Sequence, residues 1–329
     1  MLNQVGKIKE ESLFEKISKN KTPYLFILPF YILFAIFMLY PTAYSFYLSF
    51  HQWNGSGPKI YVGLLNYMNL LKNRPFRQSL INSLIIFLEY VPGMTLLALI
   101  LAALLNSKYI RLRNVFRTFI FLPYVTASVA VAYCFQSLLD KDYGLVNLFL
   151  SWFGVNSIAW LNSPSLARIC LSGLVTWRWL GYNMIILLAG LQNIPPELYE
   201  AAKIDGATTT QSFFRITLPL MKPMLLFCII LSTIGTFSLF DEPYILTSGG
   251  GPMDATLTPV LYLYKVGFNF LHFWRCFEYC LCFVYNSTYF ECILDKNSGR
   301  KIMSSKVNPF SLLKNLKIRK SKKEKKRCS

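Results

Sequence analysis

The sequence has few of the residues that soluble enzymes use for catalysis. Only His51 and His272 are available as a histidine base or ligand, and the eight cysteines include no C-x-x-C pair. A His/Cys metal site or a His-based catalytic triad is therefore poorly supported, and no disulfide framework is expected. The chain also has no G-x-x-x-x-G-K-[ST] loop to hold ATP. We expect it to be no enzyme and to bind no cofactor or metal of its own.

Charged residues are also scarce, at 15%, whereas 54% of the residues are hydrophobic and 16% are aromatic. With a mean hydropathy of +0.39, the chain is too apolar for a soluble domain of its length. The net charge of +18 lies largely in the basic C-terminal tail and in short loops, so we interpret it as a positive-inside bias and expect no nucleic-acid partner. The composition predicts an all-α polytopic protein surrounded by membrane lipid.

Five apolar runs are long enough to cross the ~30 Å hydrocarbon core as helices. These predicted spans are 24–48, 80–105, 115–139, 166–191 and 221–245. The first is too long for a signal-peptide core and lacks a cleavage site, so we predict a retained span. A sixth span is expected near 257–292, where the sequence suits it poorly.

Lysine and arginine are shared unevenly between alternate loops. One set carries twelve of them and comprises the N-terminus to Lys21, 106–118 and 193–222. The other set carries five and comprises 51–79, 140–165 and 246–260. Because basic loops stay on the cytoplasmic side, we expect a protein of the cytoplasmic membrane whose N-terminus and 193–222 loop both face the cytoplasm.

The stretch ELYEAAKIDGA, between spans four and five, is unusually polar for its place in the chain. Pro195 and Pro196 suit a helix entrance, where no backbone N–H is needed, and Glu197 and Glu200 lie near the positive end of the helix dipole. Gly206 is suited to end this helix in a left-handed conformation. We therefore predict a short cytoplasmic helix from Glu197 to the glycine.

A second helix is predicted directly after the glycine. Thr208 and Gln211 have the spacing of a capping box, and the helix should end before Pro219. On the first helix, Leu198, Ala201 and Ala202 share one face, and the two small side chains would let another surface approach closely. The alternative is a solvated connector with no docking role, although small residues on an exposed face favour docking.

The same region resembles a known family of transport proteins. The stretch ELYEAAKIDGATTTQSFFRITLPLMKP is similar to the EAA loop of permease subunits of binding-protein-dependent ABC importers, in particular the maltose-permease-like sugar branch. Four further stretches are similar to that family: VGLLNYMNLL, FRTFIFLPYVTASVAVAY, GYNMIILLAGLQNIPPELYEAAKIDGA and DEPYILTSGGGP. Together they extend over roughly residues 20–273.

The resemblance implies that the loop couples the chain to a separate cytoplasmic ATPase, which would carry the ATP and magnesium. By position, the expected coupling residues are Glu197, Glu200, Ala201, Ala202, Asp205, Gly206, Leu218 and Pro219. The resemblance also implies a second permease subunit and an extracytoplasmic solute-binding protein. The GGGP stretch at 249–252 lacks the lysine of a phosphate loop, so we interpret it as a turn on the outer side.

Polar and aromatic residues inside the spans are candidates for the substrate path, because charge in hydrocarbon is costly and faces a wet interior. The candidates are Trp177, Tyr182, Asn183, Asp241 and Glu242. Aromatic faces and amides suit a sugar. The alternative interpretation assigns the aromatic residues to the membrane interface and lets Arg178 snorkel or pair with Glu89.

The C-terminal part departs from the family between Phe273 and Trp274. A span there would hold Arg275 and Glu278, each costing about 2.5 to 3.5 kcal/mol if central. If the codons from Trp274 onward are read one base forward, they can encode an apolar run. We therefore hypothesise that a frameshift replaced the sixth span and the tail. The expected division is 1–22 as a cytoplasmic N-terminus, 23–273 as the transmembrane domain and 274–329 as an atypical C-terminus.

The sequence therefore predicts the permease subunit of an ATP-driven importer of a sugar or related solute, working by alternating access. Two alternatives stay open. One is an importer permease for a polyol, glycerol phosphate or peptide, and the other is a membrane scaffold without transport.

Overall fold

The computed structural model describes residues 21–53, 57–107 and 111–269. The predicted N-terminal segment up to residue 20 and the hypothesis of a frameshifted C-terminus lie outside the described residues. The first predicted span is present as α1 (Lys21–Phe34), a π turn (Ala35–Leu39) and α2 (Tyr40–Ser49). Its most apolar stretch, within Tyr24–Ser49, is not buried against the rest of the described chain.

A short antiparallel hairpin follows, in which β1 (His51–Gln52) pairs with β2 (Ile60–Tyr61). The next helices are α3 (Leu65–Lys72), α4 (Arg74–Asn106), α5 (Arg113–Val125), α6 (Ser128–Leu138), α7 (Leu145–Ser151) and α8 (Pro164–Gln192). The side chain of Asn73 caps α4 by accepting a hydrogen bond from the Phe76 amide at 3.2 Å.

The remaining elements begin after α8. They are α9 (Glu197–Ile204), α10 (Thr209–Ser212), a π turn (Phe213–Thr217), α11 (Leu218–Leu220), α12 (Lys222–Phe237) and α13 (Asp241–Leu246). A 3-10 turn (Pro252–Asp254), α14 (Pro259–Tyr264) and a π turn (Lys265–Asn269) come last.

The centre of the bundle is the pair α4 and α8, which run side by side in the same direction. At the end near Gln192, the C-terminal halves of both helices pack together with α12 around Ala98, Met184 and Cys228. Towards the Pro164 end, Ile86 on α4 and Leu171 on α8 share a second core with α6 and α13. Both helices are long enough and apolar enough to span a membrane, which confirms predicted spans two and four.

Predicted span three is wrong as a single helix, because α5 and α6 meet at an angle of 92°. Pro123 lies in the last turn of α5, where its ring removes one backbone donor and disfavours a straight helix. The hydroxyl of Thr126 donates to the Pro123 carbonyl at 2.6 Å, and Thr126 itself is extended. The helix therefore ends there, and α6 starts again at Ser128.

Predicted span five also needs correction. The helix α12 ends at Phe237, and Asp241 begins a separate short helix, α13, after an irregular stretch. At its other end, α12 meets the helical stretch Thr209–Leu220 at 61°. Among the described residues, the structure thus contains three continuous candidate spans and two bent pairs, five in all if each bent pair crosses once.

The second cytoplasmic helix does not end before Pro219, as the sequence analysis expected. The chain passes the proline inside a helical stretch, because the preceding residues widen into a π turn in which the Leu218 amide donates to the Phe213 carbonyl. Pro219 then takes a first-turn position in α11, where its missing N–H costs nothing.

The crossing of α5 and α8 gives a test of this packing. A Cβ at Gly181 would lie 2.1 Å from the backbone oxygen of Ile120, whereas a Cβ at Gly173 on the same helix meets nothing within 4 Å. We expect Gly181→Ala to destabilise the protein by about 1 to 3 kcal/mol or more, because the two helices must separate. Gly173→Ala is the matched control and should be neutral or slightly stabilising. Equal thermal unfolding midpoints of the two variants in detergent would contradict the crossing.

Candidate functional site

The 193–222 loop has the predicted arrangement of a helix, a glycine turn and a helix. The first helix, α9, ends where Gly206 takes a φ of +75°, and a Cβ at this position would meet no neighbouring atom within 4 Å. The capping box is formed: the Gln211 amide donates to Thr208 Oγ1 at 3.3 Å and the Thr208 amide donates to Gln211 Oε1 at 3.1 Å. The glycine is therefore required by backbone conformation and not by crowding.

Helix α9 is attached to the spans by an apolar face and to the second half of the loop by a hydrogen bond. Leu198 and Tyr199 on α9 pack against the core that joins α4, α8 and α12. The Tyr199 hydroxyl and Thr217 Oγ1 lie 2.8 Å apart, and Thr217 is buried. Helix α9 therefore packs both on the spans and on the helical stretch that leads into α12.

This attachment corrects the docking face inferred from the sequence. Ala202 is only 2% exposed and Leu198 faces the same core, so these two residues of the predicted face are used within the chain, whereas Ala201 remains partly accessible. Periodicity identified the face but could not tell which side of the helix the spans would cover. The exposed face carries Glu197, Glu200 and Ile204, the last with 87% of its surface exposed.

The interior of the bundle holds a buried ion pair. Arg178, halfway along α8, pairs with Glu242 in the first turn of α13, and their side chains are 17% and 5% exposed. The alternative partner considered from the sequence is wrong, because Glu89 instead accepts a hydrogen bond from Ser172 at 2.8 Å and lies 3.8 Å from Arg168. The pair fixes the start of α13 to the middle of α8.

Asp241, which precedes Glu242 on α13, contacts the start of α6 in the bent pair α5 and α6. Ser128, the first residue of α6, donates a hydrogen bond from its hydroxyl to Asp241 Oδ2. The two acidic side chains also lie at the N-terminal end of α13, where a negative charge is favoured. The start of α13 therefore joins α8 to the break between α5 and α6.

An aromatic cluster lies close to the same break. The rings of Tyr124 on α5 and Tyr182 on α8 are stacked, with centroids 4.7 Å apart and an interplanar angle of 19°. Trp179 meets both rings edge-on at 5.4 and 6.0 Å. Sequence reasoning included Tyr182 but missed Tyr124, because its proximity depends on where α5 ends.

The other candidates for the substrate path have different surroundings. Trp177 is 44% exposed and lies against Phe135, with ring centroids 5.5 Å apart. Asn183 is 1% exposed, and its amide donates to the Trp179 carbonyl at 3.1 Å. Asn183 and Glu242 thus have packing or pairing partners inside the chain, whereas Tyr182 and Trp177 remain partly accessible.

The GGGP stretch forms a tight turn at the Pro164 end of the bundle. Gly249, Gly250 and Gly251 all have positive φ, at +90°, +119° and +70°. Asn82 on α4 supports the residues after this turn, because its amide donates to the carbonyls of Asp254 and Leu257 at 2.6 and 3.1 Å. The turn predicted from the sequence is confirmed, and it borders a cavity of about 530 Å³.

Comparison with known proteins identifies the family. The family model described as the binding-protein-dependent transport system inner membrane component matches residues 59–283, more than half of the chain. The chain belongs to this family, whose members are transport components and not catalysts. With several apolar helices in the described part, it is a multi-pass membrane protein.

Three curated relatives are similar over most of their length. The lactose transport system permease protein LacF of Rhizobium radiobacter is 45% identical over 75% of this chain and 84% of its own. The arabinooligosaccharides transport system permease protein AraP of Bacillus subtilis is 38% identical over 76% of this chain and 80% of its own. The trehalose/maltose transport system permease protein MalF of Thermococcus litoralis is 37% identical over 73% and 81%.

A solved structure agrees with the fold. One chain in the crystal structure of a bacterial alginate ABC transporter, in complex with an alginate pentasaccharide-bound periplasmic protein, matches with a TM-score of 0.76 and 25% identity. The match covers 88% of this chain and 98% of that chain.

The ion pair can be tested by a double-mutant cycle in detergent. Arg178→Met or Glu242→Met alone leaves an unpaired charge inside the bundle, so we expect each to destabilise the protein by about 3 to 5 kcal/mol. The double variant should lose much less, because no buried charge remains. Thermal unfolding of the four proteins measures the coupling. A double variant that loses the sum of the two single losses would show that the pair contributes nothing.

Proposed function

We propose that this chain is a permease subunit of an ATP-driven importer that moves a sugar or related solute across the cytoplasmic membrane by alternating access. The single observation that carries the mechanism is the 193–222 loop, a short helix ended by a left-handed glycine and seated on the core of the spans. Family membership supports the class of transporter. The geometry of the 193–222 loop supports the proposal that an ATPase drives the chain through this loop.

The driving partner is a pair of cytoplasmic ATP-binding subunits, which hold the ATP and magnesium. The coupling residues proposed by position are Glu197, Glu200, Ala201, Ala202, Asp205, Gly206, Leu218 and Pro219. The exposed Glu197, Glu200 and Ile204 suit contact with the partner, while Ala202 and Leu218 face the spans. The exposed face of the loop would then contact the ATPase, while its buried face packs against the spans of the same chain.

The other components follow from the same class of system. A second, similar permease subunit completes the path, and an extracytoplasmic solute-binding protein delivers the solute to the end of the bundle that carries the GGGP turn. The basic loops favour a cytoplasmic N-terminus, and the 193–222 loop would then face the ATPase.

A sugar is the solute class that the interior supports best. Tyr124, Trp179 and Tyr182 offer aromatic faces, which suit the apolar faces of a pyranose. The two tyrosine hydroxyls can also form hydrogen bonds with the hydroxyl groups of the sugar. Trp177 on α8, which is 44% exposed, and Asp241 on α13 are further proposed contacts on the substrate path. The names of the relatives, which refer to lactose, arabinooligosaccharides and trehalose/maltose, support the same class.

Alternating access requires an element with two arrangements. ATP-driven closure of the partner displaces α9 and α10, and the shared core transmits this to α4, α8 and α12. At the far end, α13 is fixed to α8 through Arg178 and to α6 through Asp241. The bent joints at 126–127 and at Met221 are where the helices can change their relative angle.

Substitution of Gly206 tests this function. Gly206→Val leaves room for the side chain but places a β-branched residue at positive φ, at a local cost of about 1 to 2 kcal/mol. Gly206→Asn is the matched control, because asparagine tolerates this conformation. In the reconstituted complex, we expect the valine variant to lose solute-stimulated ATPase activity and import while still inserting, and the asparagine variant to keep most of both.

Two results would count against the proposal. Unchanged stimulation in the valine variant would contradict the lever role of the loop. A wild-type complex that imports none of a panel of sugars, polyols and peptides would contradict the transport function itself.

A further inference from the structure

The cavity beside the GGGP turn lies at the C-terminal ends of α6 and α13. Its volume of about 530 Å³ falls in the range of small-molecule sites. Its wall combines one indole, Trp160, with polar side chains, among them Lys141, Asp142, Asn162 and Ser248. An aromatic face among a few convergent polar groups is the composition expected of a carbohydrate site.

One buried residue builds the wall of this cavity. Asn147 on α7 is 7% exposed, and its amide donates to the carbonyls of Lys141 and Ile158 at 3.0 and 2.9 Å. Its oxygen accepts hydrogen bonds from the Ile158 amide at 3.2 Å and from Trp160 Nε1 at 3.0 Å. The two loops and the indole are therefore held in place before any ligand arrives, which lowers the cost of binding.

Several polar side chains of the cavity wall are available to bind a ligand. The side chains of Lys141, Asp142 and Asn162 make no hydrogen bond or ion pair within the part of the chain that the structure describes. Asp140 differs, because hydrogen bonds from the Tyr143 and Asp142 amides lower the pKa of its carboxyl. It therefore stays ionised at neutral pH and keeps one oxygen available as an acceptor.

We propose that this cavity binds one neutral sugar unit at the mouth of the transport path, ahead of the aromatic cluster around Tyr182. The proposal rests on the proposed function, since it assigns a subsite to the imported solute. Trp160 would stack on the sugar ring. The side chains of Asp142, Asn162 and Lys141 would form hydrogen bonds with the hydroxyl groups of the sugar. The two carboxylates against one lysine disfavour an anionic sugar.

The site can be tested on the reconstituted complex in nanodiscs, without the binding protein. Saturation-transfer NMR would be recorded with lactose as the neutral probe and trigalacturonate as the anionic probe. We expect lactose to bind the wild type more tightly than trigalacturonate. The double variant Asp142→Asn/Asn162→Ala should bind lactose at least about fivefold more weakly, from the loss of one or two hydrogen bonds.

Two controls separate the possible sites. Asn156→Ala removes an exposed asparagine from the neighbouring loop, outside the cavity, and should leave lactose binding unchanged. Tyr182→Ala removes a ring from the aromatic cluster and should leave most of the signal at the cavity. Loss of the signal in Tyr182→Ala, with none in the cavity variant, would place the sugar elsewhere and overturn the proposal.

Three further outcomes are informative. Equal binding of the two probes would overturn the preference for a neutral sugar. A cavity variant that binds lactose normally but associates more weakly with the binding protein would show that the cavity is a docking site, which also overturns the proposal. Lactose binding at the cavity in a complex that imports no solute would support the site and contradict the transport function instead.

Discussion

The ion pair between Arg178 and Glu242 constrains much of the described structure. A charge inside a membrane bundle is costly to leave unpaired, so the two residues keep α13 against the middle of α8. Glu242 is the second residue of α13, and Asp241 beside it accepts the hydrogen bond from the start of α6. Three helices therefore meet where two acidic side chains begin a short helix, and both the bent span and the GGGP turn are positioned from that point.

Two of the hydrophobic cores lie one after the other along α4 and α8. The core near Gln192 holds the 193–222 loop through Leu198 and Tyr199, and the core towards Pro164 holds α6 and α13. Helices α4 and α8 run through both cores, so in the proposed mechanism they would connect α9 to Arg178. In this account the loop is the lever, the long helices transmit its motion, and α13 with its ion pair positions the outer end of the path.

Local chemistry made much of the loop predictable from the sequence. Thr208, Gln211 and Gly206 act within a few residues of themselves, and the structure contains the cap and the left-handed turn that they predict. Pro219 was misjudged because a π turn, which no propensity signals, carries the helix past it. The burial of Ala202 was not foreseen, because it depends on a core whose members lie far apart in the chain. The role of Asn147 was not visible for the same reason, since its partners come from two loops that meet only in the fold.

The most direct test of the coupling account is a cysteine crosslink between the loop and the ATPase subunit. The chain would carry a cysteine at Ile204, which is exposed, or at Ala202, which is buried against the spans, with a series of cysteines in the ATPase surface. The account predicts a crosslink from Ile204→Cys whose yield changes with bound nucleotide, and little or none from Ala202→Cys. Equal yields from both positions, or no crosslink from any exposed residue of α9 in any nucleotide state, would contradict it.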